Sequence, residues 1–147
     1  MTGGPEPRLE RFVAAQDRDG TYARALAELR AGRKHTHWMW FVFPQLAGLG
    51  ASETSRRYAI ASLEEARAYL AHPVLDARLR ECAEAVLVHA DAGAEAMLGT
   101  VDALKLRSSM TLFELAGGGE EFARVLAELY AGERDALTLS ALRSPPA

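Results

Sequence analysis

Residues 74–89, VLDARLRECAEAVLVH, decide the fold class of this 147-residue chain. Apolar side chains recur in this segment every three or four residues, at Leu75, Leu79, Cys82 and Val86. Such spacing places them on one face of an α-helix. Pro73 precedes the segment and suits the first turn of a helix, where a missing N–H costs no hydrogen bond. The pattern therefore predicts a long amphipathic helix with one buried stripe.

The same periodicity covers most of the chain, and no stretch alternates apolar and polar residues as a half-buried strand would. It predicts six more helices, over residues 9–16, 21–30, 62–71, 103–115, 120–130 and 136–142. Shorter helical turns are expected within residues 52–60 and 94–98. We therefore expect an all-α fold, a compact single-domain bundle of about seven helices with no substantial sheet.

Capping residues mark several of these helix ends. Ser62 and Glu65 form a capping box, in which each side chain satisfies a free backbone N–H of the first turn. Asp102 and Asp135 precede apolar helical segments and are expected to be N-caps. Gly32 follows the second helix and is expected to be its C-cap.

The composition predicts one globular domain. The apolar fraction is 49% and the charged fraction 25%, which is an ordinary globular balance. We expect the domain to cover residues 8–143. Residues 1–7 read as a loose leader and residues 144–147 as a short Pro-rich tail.

Charge and hydropathy exclude several classes of partner. The net charge is -3 and no basic stripe is present, so a nucleic-acid partner is not expected. No apolar run approaches the roughly 20 residues that a membrane span needs. The start of the chain lacks the apolar segment of a secretory signal, and the one cysteine, Cys82, fits a reducing compartment. We expect a cytoplasmic monomer.

The segment HWMWFVFPQ, residues 37–45, holds both tryptophans of the chain and two of its five phenylalanines. One interpretation is that it is simply a segment of the hydrophobic core. The other is that it lines a ligand pocket, because rings beside a few directed polar groups are the usual construction of such pockets. In that case Trp38 and Trp40 would offer ring faces, and His37 and Gln45 would orient the ligand.

A second unusual segment is DALKLRSSMTLF, residues 102–113. On a helix, Lys105, Ser108 and Ser109 share one face, and one ammonium with two hydroxyls can bind a phosphate or a carboxylate. The alternative is that the serines pack against a neighbouring helix while Lys105 pairs with Asp102.

Metal and cofactor sites are not expected. His35 and His37 are two residues apart, a spacing that suits a metal only on a strand, and neither HExxH nor CxxC occurs. His37 is instead the candidate catalytic acid or base, because an imidazole can exchange a proton near neutral pH. A purely structural histidine that orients the aromatic run is the alternative.

Several strings in the chain resemble a bacterial family called domain of unknown function 1810, which is often mislabelled calpastatin. The resemblance covers nearly the whole chain and rests on Arg11-Phe12 with Gln16, Gly32-Arg33-Lys34, His37 to Phe41, Phe43-Pro44-Gln45, Gly48-Leu49-Gly50 with Ser52, Tyr69-Leu70 with His72-Pro73, and Lys105-Leu106 with Ser108 to Phe113. It implies a mainly helical monomeric domain and no established activity. Arg107, Met110 and Phe113 also resemble a family that handles ADP-ribose-type molecules and cleaves N-glycosidic bonds.

Three functional hypotheses follow. In the first, the protein binds a small anionic, nucleotide-like or ADP-ribose-like ligand through Trp38, Trp40, Gln45, Lys105, Ser108 and Ser109, and any hydrolysis uses His37. In the second, it is a non-enzymatic helical adaptor or regulator, whose mark would be an exposed apolar patch. In the third, both segments are purely structural.

Overall fold

A computed structural model describes residues 9–49 and 52–143, and these form ten α-helices. The helices are α1 (Glu10–Asp17), α2 (Thr21–Ala31), α3 (Met39–Val42), α4 (Glu53–Arg57), α5 (Leu63–Ala71), α6 (Pro73–Val88), α7 (Ala94–Leu98), α8 (Thr100–Leu115), α9 (Glu120–Tyr130) and α10 (Ala136–Arg143). Two 3-10 turns, Arg18–Gly20 and Ala90–Ala92, follow α1 and α6. The predicted leader, residues 1–7, and tail, residues 144–147, lie outside the described residues.

The all-α class is confirmed, with more helices than the seven or so expected. Three of the ten, α3, α4 and α7, have only four or five residues and leave little periodicity in the sequence. Within the described part of the chain there is no strand, only an isolated parallel bridge between Leu46 and Ile60. Among residues 9–49 and 52–143, no helix combines the length and apolar character that crossing a bilayer requires.

Most of the expected caps are confirmed and one is wrong. The Ser62 hydroxyl accepts from the Glu65 N–H at 3.1 Å, but the Glu65 carboxylate accepts from the Ala61 N–H at 2.7 Å, so only the Ser62 half of the capping box forms. An Asp135 oxygen accepts from the Thr138 N–H at 2.9 Å. Asp102 does not cap α8. That helix begins two residues earlier, at Thr100, because Gly99 adopts a φ of 87° and turns the chain before it.

The core is a continuous cluster crossed by a chain of aromatic contacts. Phe12 of α1 contacts Tyr69 of α5 edge-on at 5.3 Å between ring centroids. Tyr69 contacts Phe113 of α8 at 5.1 Å, and Phe113 contacts Phe122 of α9 at 6.0 Å. Aromatic pairs of this kind contribute about 0.5–1.5 kcal/mol beyond the burial of their area. These contacts join helices that are far apart in sequence.

The two longest helices, α6 and α8, organise the packing. Helices α5, α9 and α3 pack against both of them. Helices α7 and α10 pack on α8, whereas α1 and α2 pack on α6. The short helix α3 therefore lies where α1, α6 and α8 come together, and this position brings the aromatic run beside the first turns of α8.

Candidate functional site

Two adjoining cavities open between the aromatic run and α8. The loop cavity, of about 390 Å³, lies against Lys34, His37, Trp38 and Asp102. The helix cavity, of about 540 Å³, lies against Gln45, Arg107, Ser108 and the start of α10 at Asp135. Trp40, Ser52 and Lys105 line both cavities, so the two together form one cleft with Trp40 at its middle.

The Lys105 ammonium lies over the face of the half-buried Trp40 ring, 4.4 Å from the ring centroid. A cation at this distance is attracted by the negative face of the indole. The same Nζ is 3.3 Å from Asp102 Oδ1, one turn earlier on α8. The expected pairing of Lys105 with Asp102 is therefore present, and it coexists with a position in the cleft.

Asp102 holds a second lysine in the loop cavity. Lys34 Nζ is 2.9 Å from Asp102 Oδ2, and it lies 5.2 Å from the centroid of the Trp38 ring. The Lys34 backbone N–H donates to the carbonyl of Met97, which ties the loop after α2 to α7. The Asp102 carboxylate thus forms ion pairs with two ammonium groups, and all three side chains line the loop cavity.

The loop that carries His37 is organised by Glu28, a carboxylate only 9% exposed. Its Oε1 accepts from the backbone N–H groups of His35 and Thr36 and from the Trp38 indole, at 2.7, 3.0 and 2.9 Å. Its Oε2 accepts from the Thr36 hydroxyl at 2.6 Å. Burial raises the pKa of the Glu28 carboxyl, but the hydrogen bonds from the Thr36 hydroxyl, the two amides and the indole outweigh it and lower the pKa to about 2.

Helix α3, which presents Trp40, is held from behind by the buried side chain of Gln16. Gln16 Nε2 donates to the Phe41 carbonyl at 2.7 Å, and Gln16 Oε1 accepts from Arg78 at 3.1 Å. A four-residue helix has too few internal hydrogen bonds to be stable alone, so its position depends on such external contacts. The Trp40 ring is therefore set by side chains of α1 and α6.

The wall of the helix cavity contains two buried donors without an acceptor in the described part of the protein. They are Gln45 Nε2 and Arg107 Nε. The Gln45 backbone is fixed, because its carbonyl accepts from the Ile60 N–H at 2.8 Å. The Arg107 guanidinium lies 5.8 Å from the Tyr130 ring centroid. A buried donor left unpaired costs about 1–3 kcal/mol.

Arg107 also differs from the two lysines in its charge environment. Among the described residues, no carboxylate lies within ion-pair distance of its guanidinium, whereas both lysines contact Asp102. Asp135 faces the same cavity, but its Oδ2 is already engaged by the N–H and the hydroxyl of Thr138. Arg107 is thus a cation of the cleft that forms no ion pair among the described residues.

The structure brings together most of the side chains that the sequence suggested. Trp40, Gln45, Lys105 and Ser108 line the helix cavity. Lys105 also lines the loop cavity, beside His37 and Trp38. The ring of Trp38 is 1% exposed and its indole N–H is used by Glu28. Ser109 lies outside both cavities, fully buried, with its hydroxyl unpartnered among the described residues. Whether these residues bind a ligand stays a prediction.

Sequence reasoning passed over several residues of the cleft. Lys34 was not predicted as a site residue and Asp102 was expected to be a helix cap, because the sequence does not show that these two residues, 68 positions apart, form an ion pair. Glu28 did leave a signal. It falls on the inward stripe of α2 with Thr21, Ala25 and Leu29, and a carboxylate on a buried stripe needs hydrogen-bond donors.

The chemistry available in the cleft is that of anion binding and ring stacking. The donors are ammonium, guanidinium, amide and hydroxyl groups, and the exposed imidazole of His37 stands at one end. Among residues 9–49 and 52–143, no three His, Cys, Asp or Glu side chains gather in a way that could hold a metal ion.

Comparisons with known proteins agree with the fold. A family model described as a protein of unknown function, DUF1810, matches residues 6–142. The chain is similar to the crystal structure of the conserved hypothetical protein Rv1873 from Mycobacterium tuberculosis, with 48% sequence identity and a TM-score of 0.90. That similarity covers 95% of this chain and 99% of the other. Among curated proteins, none matches significantly.

Proposed function

This chain belongs to the DUF1810 family, whose description names no function, and we propose from the geometry of the cleft that it binds a small anionic ligand with a planar ring. The ring lies against Trp40, and the anion lies in the helix cavity near Arg107. The residues predicted from the sequence, Gln45, Lys105 and Ser108, surround that position.

One observation carries the proposal: the half-buried Trp40 ring lines one cavity together with Lys105 and Arg107, and Arg107 forms no ion pair among the described residues. Two cations lining one cavity suit an oxygen-rich group such as a carboxylate or a phosphate. The Ser108 hydroxyl is a further donor on the same helix.

Hydrolysis by His37 has less support than binding. His37 is exposed, and no side chain of the described residues hydrogen-bonds to its ring. A general base is normally oriented by a second group that fixes its tautomer. We therefore retain His37 as a candidate acid or base only for a ligand whose reactive bond reaches the loop cavity.

A protein-binding surface is the second candidate, because apolar side chains are exposed at the rim of the helix cavity. Val101, Leu104 and Leu137 are 65%, 52% and 66% exposed. A helical adaptor would use such a rim as its contact surface. The two candidates differ in whether a small molecule alone stabilises the protein.

A thermal-shift screen with ring-containing anions tests the proposal. A ligand present at 100 times its Kd stabilises the native state by about 2.7 kcal/mol, which corresponds to a rise in Tm of several degrees. Arg107→Gln should weaken binding about tenfold or more, since a charge-assisted hydrogen bond contributes about 1.5–3 kcal/mol. Arg67→Gln, on the exposed side of α5, is the matched control and should bind as the wild type does. No shift with any compound would favour the adaptor.

A further inference from the structure

The ionisable side chains that line the cleft form a small set with a small net charge. Apart from His37, they are the three cations Lys34, Lys105 and Arg107 and the two carboxylates Asp102 and Asp135. The net formal charge of the lining is therefore +1. The low net charge restricts the charge of the ligand, because unneutralised charge in a partly buried site is costly.

Asp102 is the residue that keeps this charge low. It lies 2.9 Å from Lys34 and 3.3 Å from Lys105, and it has a separate oxygen on each. Its side chain is 18% exposed, and those of Lys34 and Lys105 are 9% and 25% exposed, so solvent screens the three charges only in part. Without Asp102, two ammonium groups would face the loop cavity unpaired.

The position left for an anion is in the helix cavity, at Arg107. Its guanidinium has no carboxylate partner among residues 9–49 and 52–143, and the neutral side chain of Gln45 lines the same cavity. One cation with one neutral amide matches an anionic group of charge −1. A phosphomonoester or a diphosphate would bring a second or third negative charge, beyond what the net charge of +1 in the lining neutralises.

We propose that the ligand of this cleft is monoanionic, a planar ring bearing a carboxylate or a phosphodiester, and that Asp102 is the specificity-determining residue that disfavours dianions. The inference rests on the proposed function of the cleft and narrows its ligand class. The expected ligand is therefore a singly charged compound. Nucleoside di- and triphosphates and ADP-ribose-like diphosphates are excluded from the proposed class. Carboxylate and phosphodiester share this chemistry, and separate compounds distinguish them.

Two compound series of constant ring and varying charge test the proposal by calorimetric titration. The first contains adenosine, its 3′,5′-cyclic monophosphate, its 5′-monophosphate and its 5′-diphosphate, so that charge increases on one base. The second compares indole-3-acetate with the neutral indole-3-acetamide. The monoanion of at least one series should bind about fivefold or more tighter than its neutral and more highly charged relatives, the difference expected for one partly screened charge.

Substitution of Asp102 tests its role. Asp102→Asn should shift the ratio of dianion to monoanion affinity about tenfold toward the dianion, because one more cation is left unpaired. Asp102→Glu keeps the charge and should restore the wild-type ratio. Asp91→Asn, an exposed residue of the second 3-10 turn, is the control for the loss of a carboxylate elsewhere. Circular dichroism and Tm establish that each variant is folded.

The outcomes separate this inference from the proposed function. A dianion that binds as well as or better than its monoanion, or an Asp102→Asn variant with an unchanged ratio, overturns the inference and leaves a ligand-binding cleft. If a neutral compound binds as tightly as its anion, the result contradicts the requirement for an anionic ligand in both proposals. If neither series binds to wild type or variant, the proposed function fails and the inference fails with it.

Discussion

Glu28 is the single side chain on which the loop between α2 and α3 most depends. Its carboxylate accepts four hydrogen bonds, all from residues no more than ten positions away in the sequence, and one of the donors is the indole of Trp38. Ionised carboxylates accept stronger hydrogen bonds than neutral groups do. The negative charge of Glu28 therefore stabilises the folded loop that places His37 and Trp38 beside the cleft.

The lowered pKa of Glu28 predicts a pH-dependent contribution to stability. The pKa falls from 4.5 to about 2 on folding, so the folded protein holds the proton less tightly than the unfolded chain. The contribution, about 3 kcal/mol, is present above pH 4.5 and is lost as the pH falls from 4.5 to about 2. Urea unfolding at several pH values should show that Glu28→Gln removes this component.

Glu133→Gln provides the control, because Glu133 is exposed and its side chain has no hydrogen-bond partner among the described residues. Its unfolding free energy should follow the wild-type pH dependence. If Glu28→Gln kept the wild-type slope between pH 4.5 and 2, folding would not lower the pKa of Glu28.

At the scale of elements, the attachment of α10 to the rest of the protein depends on Asp135, the residue that precedes the helix. Asp135 Oδ2 accepts from the Thr138 N–H and hydroxyl, at 2.9 and 2.7 Å. The Asp135 N–H in turn donates to the Thr111 hydroxyl of α8, at 2.9 Å. The cap of α10 is thus also its joint with α8, next to the helix cavity.

Asp135→Ala should destabilise the protein by about 1–2 kcal/mol, the usual cost of removing an N-cap oxygen. Hydrogen exchange followed by mass spectrometry should show faster exchange in α10 than in the other helices. Ser62→Ala removes the cap of α5 and should instead raise exchange there. Equal exchange in α10 of Asp135→Ala and wild type would show that side-chain packing, rather than the cap, holds this helix.

At the scale of the whole molecule, one core connects eight of the ten helices of the described residues through buried side chains. The buried cluster includes Phe12 of α1, Leu29 of α2, Leu79 of α6 and Leu126 of α9, and Leu142 of α10 packs against its edge. Helices that share a core unfold together in a small domain. We therefore expect the described residues to unfold as one cooperative unit.

Urea unfolding should accordingly show a single transition. Tryptophan emission reports the region of Trp38 and Trp40, whereas far-UV circular dichroism reports all helices, so the two midpoints should coincide. Two separated midpoints would contradict one cooperative unit and, with it, the single domain expected over residues 8–143.

Helical periodicity carried most of the fold information that the sequence contains. The stripes of α6 and α9 are recognisable without any structure, because a helix side that packs on a core must repeat every three to four residues. The aromatic run did not reveal α3, since its residues from Trp38 to Phe43 are all apolar and show no period. Nor did the sequence show that α8 begins at Thr100, because Gly99 acts through its backbone conformation.

By itself the sequence determined the all-α class, the caps at Ser62 and Asp135, and the two segments that meet in the cleft. These follow from local rules, since periodicity and capping involve residues within a few positions of one another. Only the tertiary structure decided that Lys34 and Lys105 share Asp102, that Gln45 and Arg107 face one cavity, and that Ser109 is turned away. Such contacts join residues up to 68 positions apart, as Lys34 and Asp102 are, and depend on how the helices pack.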